Sequence, residues 1–193
     1  MGPAPLSLFA PELPPGFSHR DEFISASEEA DLVERIGSVT FSSFEMRGVA
    51  ARRRVAFFGT AYDERFVTPD MPDFVLPVRA RFAEWAGVPS DAFAMALVNE
   101  YPPGAPIGWH RDAPQYDMVA GLSLLSPCRM KLRPYVRPAD RGAAPARRGA
   151  THEIRLEPRS AYLMTGDARN AYEHHIPAVS LLRYSVTFRT LRS

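Results

Sequence analysis

FAMALVNEYPPGAPIGWHRD, residues 93–112, opens as a run of apolar residues fit for a buried strand and closes on a cluster of reactive side chains. The run stops at Pro102-Pro103-Gly104, a strong turn signal. Its end, His110-Arg111-Asp112, is an H-x-D. In an extended segment side chains at i and i+2 leave the same face, so His110 and Asp112 converge while Arg111 points away. One imidazole and one carboxylate so placed are two thirds of a facial 2-His-1-carboxylate site, the arrangement that holds non-haem Fe(II) and leaves positions open. Such tripeptides are common, and H-x-D carries little weight without a further histidine. Asn99 and Tyr101 form another i, i+2 pair, on the side of Leu97, and an amide and a phenol suit a bound carboxylate or keto acid as hydrogen-bond donors.

Downstream the pattern is strand after strand, separated by Pro, Gly and polar turns. Six runs are expected to be strands: 93–101, 118–125, 129–133, 151–156, 161–164 and 183–190. Many short strands with turn punctuation predict a sandwich or barrel, here a double-stranded jelly roll. The last strand alternates cleanly, with Arg183, Ser185, Thr187 and Arg189 on one face and Tyr184, Val186 and Phe188 on the other. Two orientations are open to its polar face: toward water, or inward in a barrel that binds an anion. Six residues of strand separate the arginines by roughly 20 Å, a spacing suited to opposite ends of a short diacid.

Upstream, five prolines in residues 1–18 predict an extended arm. Phe23 and Ile24 read as part of a short strand. Ser25 or Ser27 then caps a helix with acidic Glu28 and Glu29 in its first turn, apolar Leu32, Val33 and Ile36 at helical spacing, and a stop at Gly37. Residues 39–44 and 52–58 read as strands, and 76–86 as a helix with Pro77 in its first turn and Gly87 at its end. The fold class expected is mainly β (α+β), with helices buttressing a jelly-roll core.

The chain has 193 residues, 46% hydrophobic and 23% charged, as ordinary globular domains do, and its net charge is +1. No global basic field draws it to nucleic acid. Cys128 is the only cysteine, which excludes an intrachain disulfide and a Cys-based zinc site. The first residues lack a basic region followed by an apolar run, and no stretch of about 18 apolar residues occurs, so neither signal peptide nor membrane span is expected. A cytoplasmic setting is the expectation, with no obligate protein partner evident.

Local charge is less even. Residues 52–66, RRRVAFFGTAYDERF, interleave four arginines with Phe57, Phe58, Tyr62 and Phe66. That composition suits phosphate contact and base stacking, and it equally suits a hairpin with a solvated arginine run over core phenylalanines. Residues 129–148 carry seven basic side chains against one acid, Asp140. The loop within them is either a phosphate-contacting element or a solvated insertion. Near the C-terminus, His174-His175-Ile176-Pro177 offers the missing imidazole.

Taken in order, N-x-Y-x-x-G-x(5)-H-x-D from Asn99, H-x-I-P from His174 and R-Y-x-x-T-F-R from Arg183 resemble the AlkB family of Fe(II)- and 2-oxoglutarate-dependent dioxygenases. The match spans about half the chain. The resemblance implies a double-stranded β-helix core over 93–193, with residues 1–92 supplying an arm, helices and an N-terminal β nucleotide-recognition lid packed on it as one structural unit. It implies Fe(II) held by His110, Asp112 and His174, which are also the catalytic residues, with O2 as the oxidant. It implies 2-oxoglutarate held by Asn99, Tyr101, Arg183 and Arg189, with Arg183 on the distal carboxylate and Leu97 and Leu132 nearby. The activity implied is oxidative dealkylation of alkylated bases in DNA, or in RNA, releasing aldehyde, succinate and CO2. Phe58, Tyr62 and Phe66 are candidates for the wall against which a flipped base rests.

One position departs from the family. Many repair-active relatives carry an acidic residue two positions after the metal Asp, where this chain has Pro114; Asp117 lies too far along to replace it. The lesion is therefore left open. Two other readings stand beside dealkylation of DNA: the same chemistry on RNA or protein, and a non-catalytic jelly-roll binding module. A polypeptide substrate calls for less positive charge and fewer rings than 52–66 provide, and a binding module has no use for a metal triad beside two arginines.

Overall fold

A computed structural model describes residues 13–46, 49–60, 68–137 and 150–192. In chain order its elements are β1 (Phe17–Arg20), α1 (Ala26–Ile36), β2 (Ser42–Met46), β3 (Val49–Gly59), α2 (Leu76–Ala86), β4 (Phe93–Tyr101), β5 (Ile107–His110), β6 (Tyr116–Leu124), β7 (Cys128–Pro134), β8 (His152–Leu156), β9 (Ala161–Met164), α3 (Gly166–Asn170), β10 (Tyr172–Ile176) and β11 (Arg183–Leu191). Seven strands form one sheet in the order β1-β9-β6-β11-β4-β3-β2, and four form a second in the order β5-β10-β7-β8. All strand pairs are antiparallel. This is the jelly-roll class expected from the strand count, with α1 and α2 on one side.

Alternation along the central strands assigns the layers. Tyr184, Val186 and Phe188 of β11 and Ala96 and Val98 of β4 meet Leu32 and Ile36 of α1 and Val78 and Phe82 of α2. The opposite face of the large sheet meets the small sheet, where Val119, Tyr162 and Met164 pack with Ile107, Met130, Leu132 and Ile176. The helices thus brace one face and free the other for the space between the sheets. Among the described residues no helix is long and apolar enough to cross a membrane.

Of the two candidate caps, Ser25 is the one used. Its Oγ accepts from the Glu28 backbone N–H at 3.2 Å, and its own N–H donates to the Glu28 carboxylate at 2.7 Å, a complete capping box. That bond and the Arg81 guanidinium, 2.7 Å away, lower the Glu28 pKa to about 2, with Arg81 the larger cause. A depressed carboxylate contributes stability above its ordinary value of 4.5 and loses it as pH falls toward 2. Ser25→Ala is expected to cost about 1 kcal/mol, or about 2–4 °C in a thermal unfolding midpoint. An unchanged midpoint would remove the capping box from the account. At α2, Gly87 takes a left-handed φ of 68° and its N–H closes onto Ala83 and Glu84, the stop expected from sequence.

Several elements differ from expectation. Phe23 and Ile24 are not a strand; they turn their side chains under the helices and are buried there. Part of the proline-rich arm is β1, recruited to the sheet edge by β9 with Phe17 opposite Met164. The run at 39–44 is displaced toward β2, because Val39 and Phe41 pack on the helical core instead. β5, β10 and α3 were not anticipated as elements. β10 is short and largely polar because one of its faces lines the site, and β5 is only four residues long.

Candidate active site between the sheets

β5 and β10 pair so that His110 and His174 stand directly opposite each other. Their rings lie 4.2 Å apart, centroid to centroid. Asp112, two residues past the end of β5, brings Oδ2 to 3.8 Å from His174 Nε2. The histidine doublet is resolved by the pleat: His174 turns into the site, whereas His175 faces out, with Nδ1 2.6 Å from the Ile107 carbonyl and its ring on Trp109. His110 Nδ1 is 2.9 Å from the Gly108 carbonyl, which makes it the protonated nitrogen and leaves Nε2 as the donor atom.

Burial acts on all three groups. It lowers the pKa of His110, and it lowers that of His174 to about 3, the neighbouring His110 adding to the effect. For Asp112 burial pushes upward, but Arg189 and then the two imidazoles outweigh it and hold the carboxyl well below the usual range. Two neutral imidazoles and one ionised carboxylate are the protonation states that metal ligation requires. Among the described residues no group of three or more His, Cys, Asp or Glu side chains is placed to hold a metal ion as it stands. His110, Asp112 and His174 are an open cluster, and their donor types fit Fe(II) in a 2-His-1-carboxylate set.

Two arginines hold Asp112 in place. Arg189 donates from Nε and Nη2 to Oδ1, each at 2.7 Å, and from Nη1 to Thr187 Oγ1 at 3.0 Å. Arg169 Nη2 reaches the carbonyls of Asp112, Ala113 and Tyr116 at 3.3, 2.6 and 2.9 Å, pinning the loop that carries the carboxylate. Arg189 was expected on the oxo acid; here its carboxylate partner is Asp112.

The polar face of β11 points inward. Arg183 is 1% exposed, Ser185 4% and Thr187 6%, which settles the orientation the sequence left open. Arg183 donates from Nε to Ser123 Oγ at 3.2 Å, and its guanidinium lies 4.9 Å above the Tyr101 ring. Its Nη1 is buried with no hydrogen-bond partner among the described residues. A charged donor left so costs free energy, and a bound carboxylate relieves it. Beside it Asn99 Nδ2 approaches Ser185 Oγ at 3.3 Å, and Asn99 Oδ1 accepts from Arg53 Nη1 at 2.6 Å. Leu97 and Leu132 are buried on the inner faces, Leu132 opposite His174.

The expected base-stacking wall needs correction. Phe58 pairs with Ala96 and packs on the helical core, away from the site. Phe57, opposite Leu97, is the ring on the inner side, with Val55, Met95 and Tyr116. The period of two puts neighbouring phenylalanines on opposite faces, and sequence alone did not say which faced in. Tyr62 and Phe66 lie outside the described residues. Sequence reading also missed Arg53, Ser123, Tyr162 and Arg169. Arg53 had a signal: it is buried between exposed Arg52 and Arg54, as alternation on a strand requires. Arg169 acts on residues more than fifty positions away, and no local pattern marks it.

Comparison with known proteins places the chain in a family and a fold. The family described as the 2OG-Fe(II) oxygenase superfamily matches residues 37–189, most of the chain. The "Alkylated DNA repair protein ALKBH8 homolog" of Arabidopsis thaliana is 28% identical over 193 aligned residues, covering 90% of this chain and 54% of the relative. The chain therefore spans about half the length of that curated relative. Among solved structures, OsALKBH1 superposes with a TM-score of 0.66 at 18% identity, covering 93% of this chain and all of that one. A prolyl-4-hydroxylase of Pseudomonas putida gives a TM-score of 0.61 at 13% identity, covering 92% and 94%. These two likenesses speak for the fold. The family match decides the assignment: the chain belongs to the 2OG-Fe(II) oxygenase superfamily, whose chemistry uses Fe(II), 2-oxoglutarate and O2.

Proposed function

We propose that this chain oxidatively dealkylates nucleobases, with alkylated DNA as substrate and RNA as the alternative strand. The observation that carries the reading is the buried cluster of His110, Asp112 and His174 beside Arg183, whose Nη1 lacks a partner among the described residues. The nucleic acid assignment draws on the relative described as an alkylated DNA repair protein. It is supported by cation–ring pairs on the outer face of the small sheet, where Arg133 lies 4.0 Å from the Trp109 ring and Arg111 lies 3.7 Å from Tyr135. A cytoplasmic setting belongs to the same reading.

In this reading His110, His174 and Asp112 would hold Fe(II), His110 through the Nε2 that its Gly108 contact leaves free. Bound Fe(II), with 2-oxoglutarate and O2, supplies the oxidation that converts an N-alkyl C–H to C–OH while the oxo acid becomes succinate and CO2. Arg189 keeps Asp112 ionised and aimed, and Arg169 fixes the loop behind it. Arg183 takes the distal carboxylate of the oxo acid, with Asn99 and Tyr101 beside it. The base has to leave its stack to reach this space between the sheets. A hydroxylated N-alkyl carbon then breaks from nitrogen, releasing an aldehyde and the unmodified base.

The test is a stoichiometry. Protein, Fe(II), ascorbate and 2-oxoglutarate with a methylated single-stranded oligonucleotide are expected to yield formaldehyde and succinate in nearly equal amounts. Succinate without formaldehyde across methylated DNA and RNA would retain the oxygenase and reject nucleic acid dealkylation. A panel including etheno adducts addresses the consequence of Pro114, since the acid that meets cationic bases in many relatives is missing at that position.

A further inference from the structure

Tyr162 is buried on the inner face of the large sheet, the face that also carries Arg183, although none of the motifs includes it. On β9 it faces inward with Met164, while Ala161 and Leu163 face the helices. In register it stands opposite Gly121 of β6. A Cβ at Gly121 would clash with Cζ and Cε1 of the Tyr162 ring and lie 2.6 Å from its phenol oxygen, closer than van der Waals contact allows. The phenol end therefore rests on the glycine, and any larger residue there would lift it off. Behind it Phe17 stacks on the ring, centroids 5.8 Å apart and planes 11° off parallel.

The neighbours of Gly121 place that phenol. Val119, Gly121 and Ser123 share the inner face of β6, opposite Arg189, Thr187 and Ser185 of β11. Arg183 reaches back to Ser123 through Nε, and Arg189 starts opposite Val119. The phenol thus sits over the stretch between the two guanidinium groups. Burial, Asp112 and Tyr101 raise its pKa, and Arg189 and Arg183 offset this only in part, so it stays protonated and able to donate.

We propose that Tyr162 is a specificity-determining residue of the oxo-acid pocket: seated on Gly121 beside Arg183, it donates to the distal carboxylate and walls the pocket behind it. A five-carbon oxo diacid then fits, and a six-carbon one meets the ring. The inference rests on the assignment of Arg183 to that carboxylate, and the experiment separates the two. Calorimetric titration of 2-oxoglutarate and 2-oxoadipate into Mn(II)-loaded protein without oxygen compares wild type, Tyr162→Phe, Tyr162→Leu and Arg183→Ala. Tyr162→Phe keeps the ring and its stack on Phe17, and is expected to weaken 2-oxoglutarate about tenfold. Tyr162→Leu opens the wall and is expected to raise the relative affinity for 2-oxoadipate about tenfold. If both Tyr162 variants bind both acids as wild type does while Arg183→Ala loses 2-oxoglutarate, the role of Tyr162 is overturned and the pocket stands. If Arg183→Ala also binds as wild type does, the pocket assignment falls and takes this inference with it.

Discussion

Asp112→Ala is expected to lose metal-dependent turnover and, in the metal-free protein, to unfold on the order of 10 °C below wild type. The first effect follows from removing a ligand. The second follows from Arg189, whose guanidinium is 11% exposed and makes two 2.7 Å contacts with Asp112. Removing one partner of a buried ion pair strands the other charge and costs about 3–5 kcal/mol. His110→Ala also loses metal, but strands no charge, so its cost to the metal-free fold is expected to be about 1 kcal/mol. Thermal unfolding of the metal-stripped variants tells these apart. The pair also has a pH signature. Because the Asp112 pKa is depressed from 3.8, its contribution is complete above that value and declines as pH falls through the folded one. Asp112→Ala is expected to flatten that acid limb. Equal stability of Asp112→Ala and His110→Ala would mean that Arg189 does not depend on Asp112.

Arg183→Ala is expected to keep its metal and lose the oxo acid. Its guanidinium is anchored on Ser123 and Tyr101 rather than on His110, Asp112 or His174, with Nη1 buried and unpartnered among the described residues. Truncating one side of a buried hydrogen-bonded charge pair costs about 2–5 kcal/mol, so 2-oxoglutarate is expected to bind about a hundredfold more weakly or worse. Arg183→Lys should not rescue it, since an ammonium lacks the planar fork that holds Nε on Ser123 and offers a second edge to a carboxylate. Titration of Mn(II), then of 2-oxoglutarate, separates the two ligands. Loss of Mn(II) in Arg183→Ala would show that this arginine supports the metal cluster instead.

β4, β9 and α2 could be read from sequence to the residue, because each has the simple pattern of its class and a clear stop: Pro102-Pro103 after β4, Gly87 after α2. β10 could not. Its sequence YEHHI has no apolar alternation, since His174 faces the site while Glu173 pairs with Arg133 on the outer side. A strand whose two faces serve chemistry and ion pairing lacks the hydrophobic signature by which strands are found. β5 was hidden by its length, since four residues with Gly108 among them give alternation no window in which to show. The metal-type residues were therefore legible as motifs before the strands that position them were legible as structure. For β11 alternation separated the two faces without saying which was inside; the answer came from the helices, which cover Tyr184, Val186 and Phe188. Arg169 and the seat of Tyr162 on Gly121 depend on contacts between distant segments, and such contacts leave no trace in a local window.

The most direct measurement is a crystal structure of the protein with Mn(II) and 2-oxoglutarate, grown without oxygen. The geometry described predicts one metal ion held by His110, Asp112 and His174, with the distal carboxylate of the oxo acid on Arg183. A metal held by other side chains, or an oxo acid whose distal carboxylate lies away from Arg183, would contradict it.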